Sequence, residues 1–329
     1  MEVNVTKYND QVSIIHVDNG LNLKCELTTW GAGVYSLLFK GKRMILTHED
    51  FKDYMYSSQF YGKTLGVVCG RLKKDGYILD KEYHLIPDSG KDFSLHGGYL
   101  NSISFKNWDY KIKESNKKVA VTFSITTRLN DNGFPGKARI YVTYEFSKIH
   151  DDIKILFKAT TPSEATFVDL SNHMYFNFND SHDISDYYLK FNANKVATTD
   201  ENLLITGVKD ITPILDFNKA AKLNPRLNAI EKNDFKGTID DSFIFSSLPG
   251  KVTLKNKEVT LNIVTDYPAI NIYVDNSLTP NKFINRDDFE KRRAIALEPQ
   301  RFVFDKNQIT LKKGEVYKNY ILYKFKESK

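Results

Sequence analysis

Cysteine is scarce in this sequence, and other features that would assign it to a particular class are missing too. The 329 residues contain two cysteines, Cys25 and Cys69, and no CxxC pair, which is too few for a disulfide framework. No apolar run approaches the length of a bilayer span, and the N-terminus lacks the basic start and apolar stretch of a signal peptide. We therefore expect a reduced, cytoplasmic protein without a membrane partner.

Linkers rich in glycine, proline or serine are also lacking, as are low-complexity tracts and clear repeats. This favours a single domain over residues 1–329. The net charge is +6, from 47 Lys and Arg against 41 Asp and Glu, but the lysines are scattered and no zinc-finger or RNA-binding signature occurs. The charge balance therefore predicts a solvated surface of mixed charge and no nucleic-acid partner.

Several common catalytic signatures are absent as well. The sequence contains no Walker A loop, no GxGxxG after a strand, no GxSxG elbow and no HExxH helix. These absences weaken the case for phosphate, nicotinamide, serine-hydrolase and zinc-peptidase chemistry.

Aromatic residues, in contrast, reach 13% and apolar residues 41%, enough for a sizeable core. Alternation of apolar and polar residues recurs, for example at 121–129, 138–146 and 321–325, and turn signals separate such runs. Helical periodicity is rare, and only residues 212–223 indicate a short helix. Many strands and few helices predict an all-β fold, either an antiparallel β-sandwich or a barrel.

The segment VDLSNHMYFNF, residues 168–178, has the alternation of a strand but an unusual polar side. Apolar side chains occupy one side, with Asn172 as the exception. The other side carries directional hydrogen-bonding groups, namely Asp169, Ser171, His173, Tyr175 and Asn177. Such a row could line a cleft or face bulk water, and periodicity alone does not decide between the two.

Two of the seven histidines have neighbours that suggest a function. His96 lies in SLHGG, directly before two glycines, which let the backbone turn sharply and let a ligand come close. His173 lies in the polar row just described. The other five, at positions 16, 48, 84, 150 and 182, lie in charged, strand-end or loop contexts and are expected to have no catalytic role.

Three further polar residues are candidates: Arg71 in VVCGRLKK, Asp240 in GTIDDSF and Glu298 in AIALEPQRF. Alternation places Glu298 at a strand end, bounded by small residues and a proline, which suits a cleft; a salt bridge to a lysine is the competing explanation. A surface role is the simplest explanation for Arg71. Together with His96 and His173, Glu298 could offer a metal two imidazoles and a carboxylate, which the wide spacing neither supports nor excludes.

Six segments, in order along nearly the whole chain, resemble the aldose 1-epimerase (galactose mutarotase) family. They are TTWGAGVYSLLF, SLHGG followed by Trp108, DNGFPGKARIYVTYEF, NHMYFNF, LEPQRFVFD and LKKGEVYKNYILYKF. Any one motif is weak evidence, but six in register are strong. The resemblance implies a large antiparallel β-sandwich, the galactose mutarotase-like supersandwich, with few short helices and a sugar cleft on one face.

The resemblance also implies a reaction, the interconversion of α and β anomers of free aldohexoses such as galactose and glucose. A cyclic hemiacetal opens when the C1 hydroxyl loses a proton and the ring oxygen gains one. Rotation about C1–C2 and reclosure then give the other anomer. One base and one acid on opposite sides of the anomeric centre suffice, so we expect no metal and no organic cofactor. The partner would be a small-molecule sugar, and the protein a monomer or homodimer.

The matching motifs assign roles to the five candidates. Glu298 takes the position of the family's general base, His173 that of its acid, and His96 that of a second histidine that helps to hold the ring oxygen. Arg71 and Asp240 match residues that bind sugar hydroxyls. At ordinary pKa values of about 4.3 for Glu and about 6.5 for His, the carboxylate would be ionised at neutral pH and the imidazole could donate and accept a proton.

Departures from the family pattern lie in the binding regions rather than at the acid and base. LKKDG follows Arg71 where the family has Ala-Asn-Arg-Ile, and NSISF replaces GFD after HGG. Asp240-Asp241 replaces an Asp-His pair, which leaves the choice between the two aspartates open. Two aromatic residues, Trp108 and Tyr175, could stack on the sugar or fill the core, and the core is the simpler expectation.

These departures leave two alternatives to a free-aldose epimerase. One is the epimerisation of a hexose phosphate, for which Lys73 and Lys74 would bind the phosphate. The other is a non-catalytic sugar-binding module on the same fold. Retention of both the acid and the base argues against a pure binding module.

Overall fold

Strands dominate the computed structural model of the protein, which describes residues 1–87, 90–99, 101–178, 183–234, 236–276, 282–284 and 291–329. In its first half the strands are β1 (Glu2–Lys7), β2 (Ser13–Asp18), β3 (Leu23–Thr28), β4 (Gly33–Phe39), β5 (Lys42–Arg43), β6 (Thr64–Leu65), β7 (Arg71–Lys73), β8 (Asp75–Ile78), β9 (Lys81–His84), β10 (Phe93–Leu95), β11 (Asp109–Glu114), β12 (Lys118–Thr126), β13 (Arg139–Ser147) and β14 (Asp152–Thr160).

The second half continues with β15 (Thr166–Phe167), β16 (Ser171–Asn172), β17 (Tyr175–Phe176), β18 (Tyr188–Phe191), β19 (Ala193–Thr199), β20 (Ile205–Asp210), β21 (Ala221–Lys222), β22 (Asp240–Phe245), β23 (Gly250–Lys255), β24 (Val259–Thr265), β25 (Ala269–Val274), β26 (Ile295–Gln300), β27 (Thr310–Leu311) and β28 (Tyr317–Glu327). The α-helices of the described residues are short: α1 (Phe51–Tyr56), α2 (Leu223–Asn233) and α3 (Lys306–Ile309). None of these helices is long and apolar enough to cross a membrane.

Three large antiparallel sheets carry most of these strands. A five-stranded sheet runs β1-β2-β3-β4-β5, a six-stranded sheet runs β17-β26-β25-β22-β19-β20, and a nine-stranded sheet runs β11-β12-β13-β14-β28-β24-β23-β18-β21. Four two-stranded ladders, β6–β16, β7–β10, β8–β9 and β15–β27, complete the pairing among the described residues. The predicted all-β antiparallel sandwich with few short helices is therefore confirmed.

The nine-stranded sheet packs on the other two through its apolar face. Side chains alternate between buried and partly exposed along β13 and β14, as the period of two requires. Ring contacts join the layers: Phe176 to Tyr323 at 5.8 Å and Phe191 to Phe243 at 4.7 Å toward the six-stranded sheet, and Phe39 to Phe325 at 5.9 Å toward the five-stranded sheet. In β26 all six residues are buried, so this strand is covered on both faces.

The helix expected over residues 212–223 is wrong, because the helix in this region, α2, begins only at Leu223. Asn218 explains the difference. Its side-chain amide donates to the carbonyl of Ala193 at 2.7 Å and its carbonyl accepts from the backbone N–H of Ala193 at 3.2 Å, which ties the segment to the start of β19. A side chain that bonds the backbone in this way competes with helix formation.

Residues 168–178 do not form one continuous strand. The side-chain carbonyl of Asn172 accepts a hydrogen bond from the backbone N–H of Met174 at 3.1 Å, and the ladder breaks there into β16 and β17. Both sides of the segment are buried, so its polar row does not face bulk water. Asn172, the exception in the apolar row, is therefore the residue that interrupts the strand.

Candidate active site

A polar cavity of about 250 Å³, here called the site cavity, lies at the face of the six-stranded sheet. All five residues singled out in the sequence line it: Arg71, His96, His173, Asp240 and Glu298. They come from chain positions up to 227 residues apart (298 − 71). The fold therefore gathers the five candidates into one place.

Glu298 lies inside a strand rather than at its end. It pairs with Asn271 across β25 and β26, and the strand continues through Pro299 to Gln300. Proline has no backbone N–H to donate, so it is tolerated only where the ladder needs none. On the side of β26 that faces β17, the pairing reaches only Ala296 and Ile295, so Pro299 has no ladder partner there. Asn271 donates its side-chain N–H to Oε1 of Glu298 at 3.4 Å, and no lysine forms an ion pair with this carboxyl among the described residues.

His173 is held by its own backbone in the gap between β16 and β17. Its N–H donates to the carbonyl of Lys63 at 3.0 Å, and its carbonyl accepts from the N–H of Gly62 at 2.9 Å. The imidazole stacks on the ring of Tyr175, with centroids 4.8 Å apart and planes at 22°. The break in the strand thus places the imidazole at the cavity. The two backbone hydrogen bonds and the stacking on Tyr175 fix its position.

His173 and Glu298 form a buried pair in which Nε2 and Oε1 lie 3.5 Å apart. Their side chains are only 6% and 1% exposed. Within the described part of the chain, His173 Nδ1, Glu298 Oε2 and Arg71 Nε are all buried and have no hydrogen-bond partner. Buried polar atoms are normally satisfied, so these three atoms around one cavity are available to bond hydroxyl groups or other polar atoms.

Burial moves the pKa values of this pair away from their ordinary values. Loss of hydration lowers the pKa of His173 from 6.5 to about 3. Burial, and then the charge of the neighbouring Asp240, raises the pKa of Glu298 from 4.5 to about 8, against the hydrogen bond from Asn271. The expectation of an ionised glutamate and an imidazole titrating near its ordinary pKa is therefore wrong: at neutral pH the pair holds one proton, on the carboxyl.

His96 faces the same pair from the β7–β10 ladder. Its backbone is in the left-handed region at φ 52°, and its ring meets that of His173 edge to face at 5.3 Å. Nδ1 accepts the N–H of Gly70 at 3.1 Å, and burial lowers the pKa of His96 well below its ordinary value. The neutral ring therefore carries its proton on Nε2, as a fixed hydrogen-bond donor.

The glycine after His96 serves the protein backbone rather than a ligand. A Cβ at Gly97, where φ is +83°, would lie 2.1 Å from the carbonyl oxygen of Gly66. Only glycine allows this close approach of two chain segments. The expected sharp backbone turn is confirmed by this left-handed φ, but the close approach at Gly97 is made by another chain segment and not by a ligand.

Arg71 and Asp240 line the same cavity, and Asp240 shares the side-chain amide of Asn271 with Glu298. Arg71 Nη2 lies 3.5 Å from Asp240 Oδ2, and Asn271 donates to Asp240 Oδ1 at 3.4 Å. Asp241, the other possible match, does not line the cavity and is instead ion-paired with Lys236. Because successive side chains of β22 point to opposite faces, Asp240 faces the cavity and Asp241 does not. Asp240 is therefore the aspartate that corresponds to the predicted site residue.

Sequence reasoning missed Asn271. It donates to both Asp240 and Glu298, and its carbonyl accepts from Ser242 Oγ at 3.0 Å. The signal was present, since Asn271 is a single amide in the otherwise apolar strand AINIYV. Tyr175, expected in the core, is buried but also lines the cavity, whereas Trp108 is part of the core as predicted.

Two remaining expectations concern the other histidines and a metal. His48 lies outside the named strands, as expected, but is fully buried, with its ring 4.8 Å from that of Tyr61, and His182 lies outside the described residues. The ligand atoms of His96, His173 and Glu298 lie within 4.8 Å of one another, so these residues could together offer two nitrogens and one oxygen to a cation.

Known proteins resemble this chain over almost its whole length. The family model for aldose 1-epimerase matches residues 13–324. The chain is 27% identical to an aldose 1-epimerase of Streptococcus thermophilus over 88% of its length and 86% of the relative's, and 26% identical to human galactose mutarotase over 92% and 91%. Both relatives are named as carbohydrate isomerases.

Solved structures share the fold. A galactose 1-epimerase from Lactobacillus acidophilus superposes with a TM-score of 0.89 at 23% identity, covering 100% of this chain and 99% of that one. An aldose epimerase homologue from C. elegans gives 0.85 at 22% identity, over 97% and 100% of the two chains. With the family model matching residues 13–324, the chain belongs to the aldose 1-epimerase family.

Proposed function

We propose that the protein interconverts the α and β anomers of free aldohexoses, galactose or glucose, by acid–base ring opening. The observation that carries this proposal is the His173–Glu298 pair, with Nε2 and Oε1 3.5 Å apart and one unsatisfied buried atom on each residue. The C1 hydroxyl oxygen and the ring oxygen of a hexose are bonded to the same carbon. Two adjacent proton-transfer groups can therefore reach both oxygens at once.

In the proposed mechanism the pair carries one proton throughout. When a sugar binds, the carboxyl proton passes to His173, which leaves Glu298 as the base and the imidazolium as the acid. Glu298 then takes the C1 hydroxyl proton while His173 protonates the ring oxygen, and the C1–O5 bond breaks to give the open-chain aldehyde. At that stage the carboxyl is again protonated and the imidazole neutral, as in the free protein.

The other lining residues hold the sugar while C1–C2 rotates. His96 offers its Nε2–H to the ring oxygen, and Arg71 and Asp240 bind hydroxyls through charged hydrogen bonds, which are stronger than neutral ones. After rotation His173 removes the proton from the ring-forming hydroxyl and Glu298 returns one to the aldehyde oxygen. Reclosure gives the other anomer, and no step requires a metal or an organic cofactor.

Polarimetry on a panel of sugars tests the proposal. Fresh α-galactose and α-glucose should lose their initial optical rotation faster with micromolar protein than in buffer alone. Buffer rates for both sugars would reject the proposed activity on them. Saturable binding of galactose by calorimetry without such acceleration would favour a non-catalytic sugar-binding module instead.

The same panel separates free sugars from sugar phosphates. Arg71 is the only cationic side chain among the described residues that line the site cavity, and it already faces Asp240. Lys73 and Lys74 do not line the cavity, and Lys74 pairs with Asp92 at 3.0 Å. We therefore expect glucose to be a better substrate than glucose 6-phosphate, and a higher kcat/KM for the phosphate would reverse this assignment.

The pH dependence of kcat/KM reports the shared proton of the free enzyme. Because the pair holds one proton between its two pKa values, of about 3 and about 8, kcat/KM should stay level from weakly acidic pH to pH 7. Above pH about 8 it should fall by about tenfold per unit, since the pair then loses its proton. A decline centred near pH 6.5, the ordinary value for histidine, would contradict the shared-proton mechanism. Rates are extrapolated to zero buffer, since buffers catalyse mutarotation.

A further inference from the structure

A row of hydrogen bonds reaches Glu298 from the protein interior behind the site cavity. The thiol of Cys69 donates to Oε1 of Gln300 at 3.2 Å, and Nε2 of Gln300 donates to Oγ of Ser242 at 3.4 Å. Ser242 donates in turn to Oδ1 of Asn271 at 3.0 Å, and Asn271 donates to Oε1 of Glu298 at 3.4 Å. We call Cys69, Gln300, Ser242 and Asn271 the donor chain. All four hydrogen bonds run in one direction and end on the carboxyl.

The direction of the donor chain determines which end of each amide faces the carboxyls of the cavity. An amide has an acceptor oxygen at one end and a donor nitrogen at the other, so Gln300 and Asn271 could each be turned either way. The thiol bond to Oε1 of Gln300 directs its nitrogen to Ser242. Because the Ser242 oxygen receives that N–H, its own hydrogen is left for Asn271. The nitrogen of Asn271 is therefore directed at Glu298 and Asp240.

The inner end of the donor chain is anchored by Asp169, a fully buried residue with no part in the proposed mechanism. Its carboxyl accepts hydrogen bonds from the thiol of Cys69 at 3.1 Å, the hydroxyl of Tyr317 at 3.2 Å and the backbone N–H of Arg301 at 3.1 Å. Arg301 directly follows Gln300 in the sequence. The same carboxyl therefore fixes both Cys69 and the strand end that carries Gln300.

The carboxyl of Glu298 does not by itself hold the amide of Asn271 in this orientation. With its proton bound, as in the free protein, a carboxyl both donates and accepts, so it would bond either end of the amide. Once ionised, it can only accept, and an N–H donor on Asn271 then stabilises its charge. The donor chain keeps that N–H directed at Glu298 before the carboxyl ionises.

We propose that Ser242 and Cys69 are positioning residues for the general base, which act on Glu298 through the amides of Gln300 and Asn271. The inference rests on the proposed function, in which the carboxyl proton passes to the imidazole and Glu298 becomes the base. A donor already aimed at the forming carboxylate stabilises it without reorganisation. Hydrogen bonds in a chain polarise one another, so breaking one link weakens the last one as well.

Ser242→Ala breaks the donor chain next to Asn271 and tests the proposal by polarimetry on glucose. The variant should lower kcat by about tenfold, the usual effect of losing a hydrogen bond to a charged group. KM should stay within about twofold, because Arg71 and Asp240 still bind the sugar hydroxyls. Ser242→Thr keeps the hydroxyl and should restore kcat to within about threefold of wild type. A raised KM with an unchanged kcat in Ser242→Ala would show direct sugar binding by Ser242 and would overturn the proposal.

Cys69→Ala tests the donor chain at a residue that lies outside the site cavity and so does not touch the sugar. Its kcat per folded molecule should fall by about threefold, as for a neutral hydrogen bond. Cys69→Ser keeps a donor at this position and should retain the wild-type kcat. Cys25→Ala is the matched control, because Cys25 is a second buried free cysteine, in β3, and also lies outside the site cavity. It should lower stability and leave kcat unchanged.

Urea unfolding of each variant gives the folded fraction, so that the values of kcat refer to folded protein. A wild-type kcat in Ser242→Ala overturns the proposal. Equal losses of kcat in Ser242→Ala and Ser242→Thr also overturn it, as do equal losses in Cys69→Ala and Cys25→Ala. Each of these results leaves the hexose activity standing. No acceleration of any sugar by the wild type would instead reject the proposed function.

Discussion

Glu298→Gln is expected to lower kcat/KM for the mutarotation of glucose or galactose by about 10²- to 10⁴-fold, the usual contribution of one general base. An amide cannot take up the C1 hydroxyl proton. It keeps the shape of the carboxyl and an oxygen that can accept from Asn271, so the cavity should retain its form. Polarimetry of wild type and variant at equal concentration measures the loss, and a rate within tenfold of wild type would reject Glu298 as the base.

The same substitution should stabilise the folded protein. Folding raises the pKa of Glu298 from 4.5 to about 8. Below pH 4.5 the carboxyl is protonated in both the folded and the unfolded chain, so no charge has to be buried and folding is not opposed. Its unfavourable contribution grows from pH 4.5 to about 8 and is constant above that range. Glutamine has no charge to bury, so the variant should gain on the order of 3 kcal/mol at pH 7 and almost nothing at pH 4. Urea unfolding at the two pH values measures the difference.

Asp241→Asn provides the matched control for Glu298→Gln. Asp241 neighbours Asp240 and is nearly as buried as Glu298, but it is ion-paired with Lys236 and lies outside the site cavity. Burial raises the pKa of Asp241 against its pairing with Lys236, so its ionised carboxylate also opposes folding at neutral pH. Asp241→Asn should therefore raise rather than lower stability at pH 7, while kcat/KM per folded molecule stays close to wild type. Loss of activity in Glu298→Gln alone would then show that the loss comes from the missing base and not from removal of a buried charge.

The fold could be predicted because alternation is a local property of the sequence. Residues 121–126 and 139–146 of the two predicted segments lie in β12 and β13, whose burial pattern follows the predicted period. The helix predicted at 212–223 failed for a non-local reason, since Asn218 bonds the backbone of Ala193, which is 25 residues away. Local propensity carries no information about such a partner.

The residues of the candidate site could be identified in the sequence by their type. Their pKa values in the folded protein could not be predicted in the same way. The ordinary pKa values of Glu and His predict an ionised carboxylate at neutral pH beside an imidazole close to its titration midpoint, whereas burial places the proton of the pair on the carboxyl. Burial depends on how β26 is covered on both faces, which the sequence AIALEPQ does not encode by itself.

His173→Asn is expected to lower kcat/KM by a similar factor, about 10²- to 10⁴-fold. Asparagine neither donates nor takes up a proton at neutral pH, and its shorter side chain does not reach the position of Nε2 beside Glu298. The loss should appear in kcat rather than in KM, because Arg71 and Asp240 remain to bind the sugar. A near-normal kcat would reject the role assigned to this imidazole.

The control for His173→Asn is the same substitution at His48, a second buried histidine. His48 packs against Tyr61 and does not line the site cavity. His48→Asn should therefore reduce stability, through lost ring contacts, and leave kcat per folded molecule near wild type. His173→Ala adds a chemical test, because it leaves space beside Tyr175 for a free imidazole ring. Added imidazole should restore part of the activity of this variant beyond its own buffer catalysis, and should fail to do so in Glu298→Gln, where the base rather than the acid is missing.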